Sequence, residues 1–206
     1  MRRIGRPSWH IRNWRGEMRT AQPLPDWSQL AQDINLDLPS HIRKVMLDLV
    51  LAWVELDGAI SMMASAIFGL NPTTGSILVG KMRVSEKLER VVRLHKAYGV
   101  SDSAKTVKRI KADYERLARV RNLVARSKCA GVLRSDPNSV MFATFEAPKH
   151  GELALDRLTH DDMRTGITWA KRLTARCLQI VDKSPFFVDP ESSGVTPTPP
   201  PSAAPG

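Results

Sequence analysis

The 206-residue chain has little cysteine, little tyrosine and no long apolar run. Its two cysteines, Cys129 and Cys177, are too few for a disulfide framework and lack zinc-ligand spacing. Such usage predicts a reducing, cytoplasmic compartment. No apolar run reaches the roughly 18 residues that a membrane span needs. The nearest, "LVLAWVELDGAI", is interrupted by Glu55 and Asp57, so no membrane partner is predicted. The opening "MRRIGRPSWHIRNWRGEMRT" has no apolar core of the kind a secretory signal carries; its arginines leave an organelle transit peptide open. "GLNPTTGS" lacks the lysine of a phosphate-cradling P-loop. His, Cys and Asp are nowhere clustered at metal-ligand spacing, so neither a metal nor a cofactor is predicted. Ser85, Ser127 and Ser139 stand in no motif that would partner them with a base.

What the chain does have is positive charge, unevenly placed. The net charge is +10. Residues 1–25 hold six arginines and one acid, and residues 26–100 hold eight charges of each sign. Residues 101–134 hold ten basic and three acidic residues, and residues 135–206 hold seven and nine. The excess therefore sits in the N-terminal arm and in one internal segment. A localised basic surface is the electrostatic footprint expected for a polyanion such as RNA, although a solvated helix face has the same composition.

Three regions follow from composition. Residues 1–25, with Trp9, Trp14 and three prolines among the arginines, read as a basic disordered arm. Residues 26–188 read as one helical domain. Residues 189–206 are Pro-rich with nothing to pack, and read as a disordered tail. Within the domain, "PSHIRKVMLDLVLAWVELDGAISMMASAIFG" places Ile42, Val45, Met46, Leu49, Trp53, Leu56, Ile60, Met63 and Ile67 at three- and four-residue steps. That spacing predicts one long helix with a single apolar stripe, capped by Ser40 and stopped at Gly69. Asn71 and Pro72 open a short second helix. Ser85 opens a third, ended by Gly99, on which His95 is expected to be exposed. A long fourth helix, "SDSAKTVKRIKADYERLARVRNLVARS", turns Val107, Ile110, Tyr114, Leu117, Val120 and Val124 inward. The period then changes to alternation in "SVMFATFEA", which can pair with "GELALDRL" across an "APKHG" loop. Thr159 caps a last helix, with Asp161 and Asp162 in its first turn, and Pro185 ends it. The predicted fold is mainly α: a bundle of four main helices with a small β-hairpin inserted before the last helix.

The end of the fourth helix is where chemistry concentrates. "RVRNLVARSKCAG" carries Arg119, Arg121, Asn122, Arg126 and Lys128 within ten positions. Together with "LAWVELDGAIS" and "LVGKMRVSEKLERVVRL" before it and the hairpin after it, this order resembles the HEPN superfamily over roughly residues 40–184. The resemblance implies a small helical bundle of the kind found in prokaryotic toxin–antitoxin, antiviral defence and RNA-processing systems. Active members are metal-independent endoribonucleases that work as dimers and carry an Arg, a polar residue, and a His four to six residues after the Arg. Carried onto this chain, the Arg is Arg121, the polar residue is Asn122, and the position expected for His is occupied by Arg126.

That replacement bears on mechanism. Metal-free RNA cleavage needs a group that exchanges a proton near neutral pH, and a cation to stabilise the charge developing on phosphorus. Arg126 can hold a phosphate but cannot act as a base. General acid–base help is worth about 10²–10⁴-fold, so a large loss of activity is expected. The candidate residues are Arg121, Asn122 and Arg126 as a degenerate catalytic motif, with Glu55 as a possible buried carboxylate partner. Lys108, Lys111, Arg116, Arg119 and Lys128 are the candidate nucleic-acid contacts. A plain salt bridge plus a capping amide explains Arg121 and Asn122 equally well. The leading expectation is an RNA-binding domain or a catalytically silent regulatory partner. Two alternatives stand beside it: a weak metal-independent endoribonuclease of toxin or antiviral type, and a helical dimeric interaction protein with no nucleic-acid role. RNA, a second copy of the chain docked through the motif face, and an antitoxin-like protein are the partners these readings imply.

Overall fold

A computed structural model of the chain describes residues 11–12, 32–144 and 154–182. The Pro-rich tail, Pro185, the "APKHG" loop and all of the basic arm except Ile11 and Arg12 lie outside the described residues. The described elements, in chain order, are β1 (Ile11–Arg12), β2 (Ile34–Asn35), α1 (Ser40–Ile67), α2 (Pro72–Gly80), α3 (Val84–Ala97), α4 (Ser101–Arg126), β3 (Lys128–Leu133), β4 (Ser139–Thr144), β5 (Ala154–Thr159) and α5 (His160–Asp182). The fold is mainly helical, with four long helices, one short helix and a small sheet.

Helix α1 is the hub. Its predicted stripe is buried at every position except Met46, which is half-buried. Such burial of Leu, Ile or Trp side chains contributes roughly 1.5–3 kcal/mol each. The same apolar cluster takes in Leu88 and Val91 of α3, Val107, Ile110, Leu117 and Val120 of α4, and Met163, Ala170, Leu173 and Cys177 of α5. A Cβ built on Gly166 would stand 2.9 Å from Leu49 Cδ1, so α5 lies closer to α1 there than a larger residue permits.

Helix ends follow local chemistry. Asn71 Oδ1 accepts from the Thr74 N–H at 2.8 Å with Pro72 in the first turn, as the sequence predicts. Thr159 and Asp162 form a reciprocal box: Asp162 N–H donates to Thr159 Oγ1 at 3.1 Å, and Thr159 N–H donates to Asp162 Oδ2 at 3.0 Å. Two expected caps are corrected. Ser40 is the first helical residue of α1 and Pro39 takes the cap position, without a side-chain hydrogen bond. α3 starts at Val84, one residue before Ser85. In both cases the residue at the cap position has extended φ and ψ but makes no side-chain hydrogen bond, so the first-turn N–H groups receive no side-chain cap. His95 is also corrected: it is buried at 3% exposure on the inner face of α3.

The predicted hairpin is present as β4 and β5, antiparallel from Ser139↔Thr159 to Thr144↔Ala154. It is extended by β3, antiparallel to β4, by β2 beside β3, and by β1 parallel to β5, giving the order β1-β5-β4-β3-β2. Alternation sorts β4 by face: Val140 and Phe142 join the helical core, while Met141 and Ala143 join a smaller cluster with Leu133 and Leu155. Gly131 sits at a register shift in β3 with φ of 130°. A Cβ there would run into the Asn35 backbone, so glycine is what allows β2 to close on β3.

Candidate functional site

Position 57 of α1 lies one turn past buried Trp53, at the rim of the apolar stripe, where a side chain reaches the neighbouring helix. Asp57 uses that position to meet α4. Arg121 Nη2 donates to Asp57 Oδ2 at 2.8 Å, and the Tyr114 hydroxyl donates to Asp57 Oδ1 at 3.1 Å. Tyr114 and Arg121 are seven residues apart, two helical turns, and so share the face that Asp57 meets. Tyr114 also sets its ring edge against Trp53, with centroids 5.3 Å apart. Burial and the Asp57 carboxylate push the Tyr114 phenol up to about 12, so it stays a donor at neutral pH. Arg121 Nη1 donates to Asn122 Oδ1 at 2.9 Å. Arg121 is therefore held by a carboxylate and an amide, with its side chain 20% exposed.

A second polar pair adjoins this one. Ser61, one turn after Asp57, donates to the Asp57 carbonyl at 2.8 Å and accepts from Lys87 Nζ of α3 at 2.7 Å. Lys87 is 5% exposed, and its burial holds the ammonium below the usual lysine range, partly offset by the Asp57 charge. Asp57, Ser61, Lys87, Tyr114 and Arg121 thus join α1, α3 and α4 in one partly buried network.

The carboxylate in this network is Asp57, which corrects the expectation for Glu55. Glu55 is exposed and faces a groove between α1 and α5. The reason is helical period: position 55 falls on the side of α1 away from the Trp53–Leu56–Ile60 stripe, whereas position 57 follows Trp53 by one turn. Arg126 lies in the last turn of α4, is exposed, and makes no ion pair among the described residues. Arg121 and Arg126 can stabilise an anion, but neither can exchange a proton.

The candidate nucleic-acid contacts divide in two. Lys111 pairs with Glu89 of α3 at 2.6 Å. Arg116 pairs with Asp113 at 3.0 Å and stacks over Trp169 of α5, 5.6 Å from the ring centroid. Arg119 pairs at 2.6 Å with Asp156 of β5, whose residue exposure is 5%. These three cations hold the bundle and the sheet together. Lys108 and Lys128 are exposed and, like Arg126, make no ion pair among the described residues. Asp57, Ser61, Lys87 and Tyr114 are the residues that sequence reasoning misses as a group. Counting one turn on from Trp53 singles out Asp57; nothing in the sequence marks Lys87 as its neighbour.

Among the described residues, no group of three or more His, Cys, Asp or Glu is placed to hold a metal ion, and no helix is long and apolar enough to cross a membrane. No family model matches the chain, and no curated protein and no solved structure matches it.

Proposed function

We propose that the chain is a HEPN-like RNA-binding domain whose ribonuclease motif has lost its proton-transfer group. One observation supports this reading above others: Arg121 is anchored by Asp57 and Asn122 while Arg126, at the motif's histidine position, is exposed and without an ion pair among the described residues at the end of the same helix. An anchored guanidinium and a free one in the last turns of the same helix suit phosphate binding, since both keep their charge and carry rigid donors. Lys128 adds a further exposed, unpaired charge two residues past Arg126 at the start of β3, while Lys108 stands about 27 Å back along α4. On this reading the protein acts by binding RNA or by regulating an active partner, in a toxin–antitoxin or antiviral setting.

The test is a ribonuclease assay of the full chain in EDTA, with Arg126→His in parallel and helicity checked in both. The natural chain is expected to leave RNA intact and Arg126→His to cut it. Cleavage by the natural chain that disappears in Arg121→Ala would favour the weak-endoribonuclease alternative. Failure of both proteins to cut, with no RNA binding at moderate salt, would overturn the reading.

A second reading has its own observation. Leu47, Leu51, Val54 and Met62 are all more than half exposed on α1, at steps of four, three and eight residues, opposite its core stripe. An apolar helix stripe facing solvent suits self-association, as the interaction-protein alternative requires. Sedimentation of the full chain and of Leu51→Glu decides it: a dimer that Leu51→Glu dissociates, without RNA binding, would favour this alternative.

A further inference from the structure

The turn after α1 joins α2 and α3 in framing a groove of about 600 Å³. Among the described residues its walls are apolar: Phe68 and Leu70 from the turn, Leu78 from α2, Met82 just after it, and Leu94 from α3. Leu78 is 52% exposed, so this apolar lining faces solvent. Arg90 and Arg93 are the charged side chains that line it. Each is paired one turn back along α3, with Glu86 at 2.7 Å and Glu89 at 2.9 Å, and exposed pairs of this kind are weak. A small ligand needs convergent polar groups to fix its orientation, and these two guanidiniums are all that the described lining offers. The groove suits apolar side chains brought in by a polypeptide that carries acids beside them.

The chain itself supplies such a segment. α1 and α5 run side by side in the same direction: the His41 and His160 rings at their starts lie 6.0 Å apart, and Gly166 packs on Leu49 further along. Gly166 to Asp182 and Leu49 to Ser65 are equal spans of helix, so α5 ends level with Ser65, beside the turn that carries Phe68 and Leu70. The sequence that follows, "KSPFFVDPE", lies outside the described residues and holds Phe186, Phe187 and Val188, then Asp189 and Glu191. The four-residue link from Asp182 to Phe186 can span up to about 13 Å, against roughly 8–10 Å between packed helix axes. We propose that Phe186 and Phe187 fill this groove, with Asp189 and Glu191 against Arg90 and Arg93. The short tether gives the segment a high effective concentration, which favours it over the same surface of a second copy. Arg121, Asn122 and Arg126 do not line the groove, so this proposal does not depend on the RNA reading.

The experiment follows, in the full chain, the reaction of iodoacetamide with the thiol introduced by Ala97→Cys at the exposed edge of the groove, with the label located by mass spectrometry. The same thiol is followed in Ala97→Cys/Phe186→Ser/Phe187→Ser. The natural segment is expected to slow labelling by at least about tenfold, and Leu78→Asp, added to Ala97→Cys, to remove that protection. Buried Cys177 must stay unlabelled in every variant, which separates release of the segment from unfolding. In the natural chain, with no substitution, the amides of residues 186–188 are expected to exchange with solvent at least about tenfold more slowly than an unstructured chain of that sequence. Equal labelling rates with and without the two phenylalanines, or exchange of residues 186–188 at the unstructured rate, would overturn the proposal. So would a thiol that reacts slowly in both proteins and faster on dilution, because a second copy would then be what covers the groove.

Discussion

Two cationic regions of this molecule look alike in sequence and differ in structure. Along α4, Lys111, Arg116, Arg119 and Arg121 each meet a carboxylate, contributed in turn by Glu89, Asp113, Asp156 and Asp57. In the α1–α5 groove, Lys44, Arg164 and Lys171 stay unpaired among the described residues although two carboxylates share the groove. Charge count therefore does not locate a binding surface. Three α4 cations, Lys111, Arg119 and Arg121, tie the helix to α3, β5 and α1, while Lys108, Arg126 and Lys128 are among the exposed cations that make no ion pair among the described residues.

The strongest way to probe this contrast is to remove one cation of each kind. Arg119→Ala is expected to lower stability by about 1.5–3 kcal/mol, because it removes a charge-assisted hydrogen bond to the nearly buried Asp156. Lys108→Ala is expected to change stability by less than about 0.5 kcal/mol, since its side chain is exposed and makes no ion pair among the described residues. Urea denaturation of both variants reads the difference, and equal losses would break the distinction. Gly131→Ala tests the sheet that carries Asp156. With φ of 130° and the Asn35 backbone against it, the substitution is expected to cost about 1–3 kcal/mol.

Smaller effects come from the α4 network. Tyr114→Phe removes one donor to Asp57 and leaves the Arg121 pair in place, so a loss of about 1 kcal/mol is expected in the same assay. The smallest expected effect is a pH dependence at His95. Burial holds its imidazole below the ordinary value, and its Nδ1 has no hydrogen-bond partner among the described residues. As pH falls below about 6.5, the unfolded chain takes up this proton before the folded one, so stability is lost with falling pH and is unaffected above that range. His95→Leu is expected to lose less stability between neutral pH and mildly acidic pH than the natural chain. An unchanged acid limb in thermal melts would contradict the burial of His95.

Much of the fold is legible in the sequence because helical period is a strong signal. The α1 stripe from Ile42 to Ile67, the Asn71–Pro72 start and the Thr159–Asp162 box all follow from spacing and side-chain chemistry. β3 is not legible. "KCAGVL" is short, follows a helix without a turn residue, and depends on Gly131 accepting β2 across the sheet. His95 reads as exposed because it stands among Lys and Arg, while the face it occupies is set by α3 packing on its neighbours. At the site, Arg121, Asn122 and Arg126 are identifiable by spacing, but their electrostatic fates are not. Pairing depends on which helix lies opposite, and that information is tertiary: it makes Asp57 the partner where Glu55 is expected, and it ties Lys111 to α3 and Arg119 to β5.

The most direct test of RNA binding by the unpaired cations is the salt dependence of affinity for a single-stranded RNA, followed by fluorescence anisotropy. Two multiple variants are compared with the natural chain: Lys108→Ala/Arg126→Ala/Lys128→Ala, and Lys111→Ala/Arg116→Ala. For a single strand, each phosphate that the protein no longer neutralises lowers the slope of log affinity against log salt by about 0.7. The triple variant is therefore expected to flatten the slope by about 2, and the double variant to leave it unchanged. Equal slopes in all three proteins, or a larger change in the double variant, would contradict the assignment of RNA binding to the unpaired cations.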